Sequence, residues 1–126
     1  MNKKTKNIIG WILAGIVAMM LIASAVDKIA GSKHALEMGA SFGLSGRAYS
    51  ILGIIEIVSV ILFLFLRTGI LGTLLLSSYL GGAIATHLQH QQNIIFPIAI
   101  EALVWIIAVI RFPELTQRFR SLSRSK

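Results

Sequence analysis

Cysteine is absent from the 126 residues. Its absence removes disulfides, thiol nucleophiles, iron–sulfur ligation and thiolate zinc sites together. Charge is also scarce. Only 13% of the residues are Asp, Glu, Lys or Arg, about half of what an ordinary soluble domain carries. Acidic residues are rarest: five, against twelve Lys and Arg, for a formal net charge of +7. A basic excess of that size points to nucleic acid only if the charges sit on one solvated surface, so their positions decide its meaning. What the chain has in abundance is apolar residues, at 56%.

The few charges divide the chain into runs of membrane-spanning length. Twenty uncharged residues lie between Lys6 and Asp27. Nineteen lie between Arg47 and Arg67, interrupted only by Glu56, and nineteen more between Arg67 and His87. Seventeen run from Ile94 to Ile110, interrupted only by Glu101. Crossing the hydrocarbon takes roughly 20 apolar residues as a helix, and lipid offers no partner for unpaired backbone. The expected fold is therefore all-α: a four-helix transmembrane bundle of up-down topology in one domain, 1–126. Its helices fall at about 8–30, 47–66, 68–88 and 94–111, with an outer cap loop at 31–46. Residues 33–38 of that loop have the makings of a short helix.

The first run has some marks of a signal peptide: Lys3, Lys4 and Lys6 ahead of it and Ala23-Ser24-Ala25 near its end. Its apolar part is longer than the usual 7–15 residues, and three more such runs follow, which favours a retained helix. With both termini in the cytoplasm, the inner side holds Lys3, Lys4, Lys6, Arg67, Arg111, Arg118, Arg120, Arg124 and Lys126, and the outer side Lys28, Lys33 and Arg47. Nine against three satisfies the positive-inside rule for a bacterial inner-membrane protein. The charge thus orients the chain in a lipid bilayer, and no nucleic-acid partner is expected. After Arg111-Phe112-Pro113, residues 112–126 form a basic amphipathic tail. Phe112, Leu115, Phe119 and Leu122 recur at helical spacing, which suits either an interfacial helix on anionic lipid or a plain stop-transfer tail.

Two carboxylates inside the runs are the residues most worth explaining. Glu56 lies nine positions after Arg47 and Glu101 eight after Asn93, which places both roughly 12–14 Å below the outer surface. An acidic residue there costs about 2.5–3.5 kcal/mol on insertion scales and turns inward. Helical spacing groups Tyr49, Gly53, Glu56 and Ser59 on the second helix. It groups Gly72, Tyr79, Gly82 and Thr86 on the third, and Pro97, Glu101, Trp105 and Ala108 on the fourth. Three such stripes are expected to converge on a polar interior that binds a ligand or handles protons. The alternative is that each glutamate is neutral or hydrogen-bonded and only fixes helix packing. Ser78 with Gly82, and Gly81 with Ala85, have the spacing of close helix approach. Lys28 is read either as an interfacial anchor beside Asp27 or as a ligand-facing cation. His34, His87 and His90 share the outer side without a metal-binding spacing, and no metal site is expected. No phosphate loop or nucleophile–base triad is present, so the sequence offers no complete catalytic constellation.

Several segments together resemble the DoxX-like family of small bacterial membrane proteins. They are Ser24-Ala25-Val26-Asp27-Lys28, Leu52-Gly53-Ile54-Ile55-Glu56 and Tyr79-Leu80-Gly81-Gly82-Ala83-Ile84-Ala85-Thr86-His87-Leu88, followed by Val104-Trp105 and Arg111-Phe112-Pro113. The resemblance runs from about Ser24 to Pro113. It implies a four-helix membrane bundle and, from the systems that give the family its name, a link to quinone-dependent oxidases and thiosulfate oxidation. By the same resemblance, Lys28, Glu56, Gly81, Gly82 and Thr86 occupy the family's characteristic polar and small positions. Lack of cysteine argues against any role built on a thiol pair.

The expectation carried forward is an accessory or ligand-binding subunit of a membrane redox system, holding a quinone or similar apolar molecule. Glu56, Glu101, Tyr79, Tyr49, Trp105, Thr86 and Lys28 are its candidate contacts, and Gly53, Gly81 and Gly82 are packing positions. Partner redox subunits or a second copy of the chain fit that role. A proton-coupled transporter and a purely structural membrane protein are the alternatives.

Overall fold

The computed structural model describes residues 2–124 and is helical throughout its regular structure. Six helices follow in order: α1 (Lys3–Ala30), α2 (Lys33–Ser41), α3 (Gly46–Leu64), α4 (Gly69–Gln89), α5 (Ile95–Arg111) and α6 (Glu114–Arg124). Of the basic tail, Ser125 and Lys126 lie outside the described residues.

Local chemistry sets the helix ends. Asn2 Oδ1 accepts from Thr5 N at 2.8 Å, so α1 starts within the basic segment rather than after it. Ser32 Oγ accepts from Ala35 N at 3.0 Å and Ser45 Oγ from Ala48 N at 3.1 Å. Side-chain caps of this kind stabilise a helix start by about 1 kcal/mol. Gly31 ends α1 in the left-handed region, at φ 67°, where a side chain would be strained. Pro113 lacks an N–H and pushes the residue before it out of the helical region. The chain accordingly leaves α5 at Phe112 (φ −122°, ψ 84°) and turns by 75° into α6.

Helices α1, α3 and α4 are each long and apolar enough to cross a membrane, and α5 taken with α6 counts as a fourth by length and composition. The four long helices touch in a closed order: α1 against α3 and α5, and α4 against α3 and α5. Small residues on α1 (Gly10, Ala14, Ala18 and Ala25) are buried along one stripe and let the neighbours close on Val17, Val60, Phe63, Leu76, Val104 and Ile107. The opposite faces carry large apolar side chains in the open, among them Met19 at 75%, Ile54 at 52%, Leu74 at 52% and Ile106 at 52% exposure. A water-soluble monomer does not present such a belt on every side. The chain is a membrane protein.

The two ends of the helix cluster differ. At one end α2 packs on α1 and α3, and the Phe42 ring wedges between His87 and His90, with centroids 4.8 and 5.9 Å away. At the other end Arg111 reaches back to α3. Its guanidinium donates to Phe63 O at 2.9 Å and Leu64 O at 2.6 Å and stacks over Trp11 at 4.5 Å. The last carbonyls of α3 lack helical partners, and a cation at that negative end is favourable. Arg111→Met removes both hydrogen bonds and leaves those carbonyls without a donor. We expect a loss of about 1.5–3 kcal/mol, read from denaturant unfolding in detergent micelles, with Arg111→Lys recovering only part of it.

Candidate functional site

The inner stripe of α1 continues from Leu21 through Ser24 and Ala25 to Lys28, the spacing of one helical face. Lys28 therefore points inward, with its side chain only 11% exposed. Its Nζ donates to Ser24 Oγ at 2.7 Å and to the Glu56 oxygens at 3.2 and 3.3 Å. Glu56, on α3, is 1% exposed. The ammonium has three hydrogens and three oxygens around it, the condition under which a buried ion pair repays its desolvation. Tyr79 and Ser24 also interact with the carboxylate. The rings of Tyr49 and Tyr79 flank the ammonium, at 5.4 and 5.7 Å from Nζ, within range of cation–π attraction.

Glycine makes this arrangement possible. A Cβ at Gly53 would stand 2.9 Å from Ala25 O and 3.0 Å from Lys28 Cβ. The bare backbone at residue 53 lets α1 and α3 meet one turn from Glu56, and that approach brings Lys28 alongside it.

In front of the pair is a cavity of about 440 Å³ between α3 and α4. Lys28, Tyr49 and Tyr79 line it together with Leu52, Ile55, Leu75, Ser78, Gly82 and Thr86, and Phe42, Leu44 and His87 close its cap end. Its size and its mostly apolar wall with a few polar groups are those of a small-molecule site. The Thr86 hydroxyl donates to Gly82 O at 2.8 Å, so Thr86 contributes wall rather than a free donor.

Two parts of the expected convergence are corrected. Glu101 and Trp105 do not join Glu56. Ser77 Oγ donates to Glu101 Oε1 at 2.6 Å and accepts from Trp105 Nε1 at 3.1 Å, forming a separate cluster where α5 meets α4, with Trp105 37% exposed. The buried residues of α5 are Pro97, Ile100, Val104, Ile107 and Ala108, so Pro97 and Ala108 of the expected stripe do face inward. Glu101 and Trp105 each stand one residue beyond a buried one, a rotation of about 100° that turns them aside. Gly81 and Gly82 are not points of close helix approach within the chain either. Both are exposed, a Cβ at Gly82 would meet nothing within 4 Å, and one at Gly81 would meet only Glu101 Oε2 at 4.0 Å. The tight approaches on α4 are at Gly72, whose added Cβ would strike the backbone of Phe63 and Leu62, and at Gly69, whose added Cβ would strike the Phe112 ring.

Lys28 does not pair with Asp27 in a hydrogen bond; the Asp27 carboxylate instead faces His34 Nδ1 at 3.1 Å. Among the described residues no group of three His, Cys, Asp or Glu is placed to hold a metal. Nδ1 of His87 and of His90 lies against a carbonyl of α4, at 2.6 and 3.0 Å. Ser24, Phe42 and His87 belong to the site although none of them is among the candidate contacts read from the sequence. The spacing of Ser24 to Lys28, one turn apart on α1, was the available signal for the first. Phe42 and His87 meet only through the tertiary fold, which no local spacing reports.

A family model described as the DoxX-like family matches residues 12–110. No curated protein and no solved structure is similar enough to the chain to count as a match.

Proposed function

The chain belongs to the DoxX-like family, and from that premise we propose that it is a ligand-binding accessory subunit of a membrane redox system. In this reading α1, α3, α4 and α5 form a four-helix transmembrane bundle in the bacterial inner membrane. Both termini face the cytoplasm, as the nine-to-three distribution of Lys and Arg favours. The ligand is a quinone or a similar apolar molecule bearing hydrogen-bond-accepting oxygens.

The observation that carries the proposal is a buried cation, Lys28, at the back of an apolar cavity and flanked by two tyrosines. A helix packing contact needs neither a charge nor an adjoining space, and a charge in hydrocarbon is expensive enough to mark function. The positive charge of the ammonium would attract a carbonyl oxygen and a tyrosine hydroxyl would donate to it, while Leu52, Ile55 and Leu75 cover the ring. The competing idea of a proton path through paired glutamates is weakened, because Glu56 and Glu101 have different hydrogen-bond partners.

Titration of the detergent-solubilised protein with 1,4-naphthoquinone tests the proposal. Saturable binding is expected, weakened roughly tenfold, the equivalent of about 1.4 kcal/mol, by Tyr79→Phe. Binding that is absent, or indifferent to Tyr79→Phe and Tyr49→Phe alike, would sink it.

A further inference from the structure

A second cavity, of about 340 Å³, lies on the opposite side of the same polar cluster. It opens between α1 and α5, where Met20, Leu21, Phe96, Pro97 and Ile100 line it. Lys28, Phe42, Tyr49, Tyr79, Ala83 and His87 line both cavities, whereas Glu56 lines only the second. The two spaces therefore flank one partition. Lys28, Tyr49 and Tyr79 stand at that partition, and the walls away from it are mostly apolar.

Separate ligands would each call for their own polar anchor, and the cluster supplies one between the two spaces. We propose that the ligand is bipartite, its oxygen-bearing head at the Lys28–Tyr79 partition on the α3–α4 side and its apolar tail in the α1–α5 cleft. This inference rests on the quinone-type reading above and adds where the tail runs. The head side is assigned to α3–α4 because Ser78 adds a hydroxyl there, and because the Glu56 carboxylate on the other side would repel a carbonyl oxygen. The tail side is assigned to α1–α5 because Met20, at 40%, and Phe96, at 65% exposure, stand at a lipid-facing mouth. A flexible Met there suits a chain without fixed shape.

The test compares two probes on the full-length protein in detergent: 1,4-naphthoquinone, and the same ring carrying a long isoprenoid tail. Met20→Trp narrows the α1–α5 mouth, and Phe96→Trp does so from the facing helix, so that loss of fold in one leaves the other. Unfolding curves show which variants are intact. We expect either intact variant to weaken the tailed probe at least roughly tenfold and to leave the tail-less ring unchanged. Gly82→Trp, which fills open space on the head side, should weaken both probes. Equal loss of both probes in the mouth variants, or loss of neither, overturns the placement of the tail. Failure of the tail-less ring to bind the unmodified protein at all would instead overturn the reading of the head site.

Discussion

Lys28→Met alone is expected to lower the unfolding free energy by about 3–5 kcal/mol, the cost of leaving one buried charge without its partner. Glu56 is 1% exposed, and the substitution takes away the cation that, alone among the described residues, is hydrogen-bonded to its carboxylate. The ion pair itself is a different matter. Replacing both partners, in Lys28→Met/Glu56→Leu, substitutes apolar volume for two desolvated charges, and such exchanges are often neutral or stabilising. The double variant should therefore recover most of the loss, giving a strongly non-additive cycle, as expected of residues in direct contact. Denaturant unfolding in one detergent, across the two single variants and the double, measures it. Additive losses would mean that the two side chains do not interact as described.

The second large effect is at Gly72. Its added Cβ would overlap the Phe63 backbone and come within 2.5 Å of Leu62 C, where no rotamer change can give relief. Gly72→Ala forces α4 away from the end of α3. That displaces Phe63, which is fully buried and whose carbonyl accepts from Arg111. Overpacking a core costs about 1–3 kcal/mol, and a backbone obstacle puts Gly72→Ala at or above the upper end. Gly82→Ala is the matched control. It has open space around it and should be close to neutral, or slightly favourable through its better helix propensity. The same unfolding assay distinguishes them, and equal effects at both positions would contradict the described α3–α4 contact.

Both predictions bear on which features could be read from residue order alone. The spans were legible because hydrocarbon imposes a length: Gly46–Leu64 and Gly69–Gln89 coincide with the gaps between charges. The inward turn of Glu56 was legible from the cost of a charge in lipid. The direction of Glu101 was not. One stripe position separates the face toward the cluster from the face toward Ser77, and spacing on one helix cannot say which neighbour stands there. Gly82 and Gly72 show the same limit. Both are small residues on α4, and only the crossing point of α3 distinguishes the one in contact from the one in the open. Lys28 was ambiguous because its flexible chain reaches either the water beside Asp27 or the carboxylate 28 residues away. Gly53, by letting the two backbones meet, resolves the choice.

The claim that this buried pair exists to hold a ligand, rather than to pin two helices, rests most directly on the variant that retains packing without charge. The decisive measurement is 1,4-naphthoquinone binding to Lys28→Met/Glu56→Leu at a concentration of denaturant where it is as fully folded as the unmodified protein. The account predicts a folded protein whose affinity has fallen at least roughly tenfold. A folded double variant that binds as tightly as the original would contradict it.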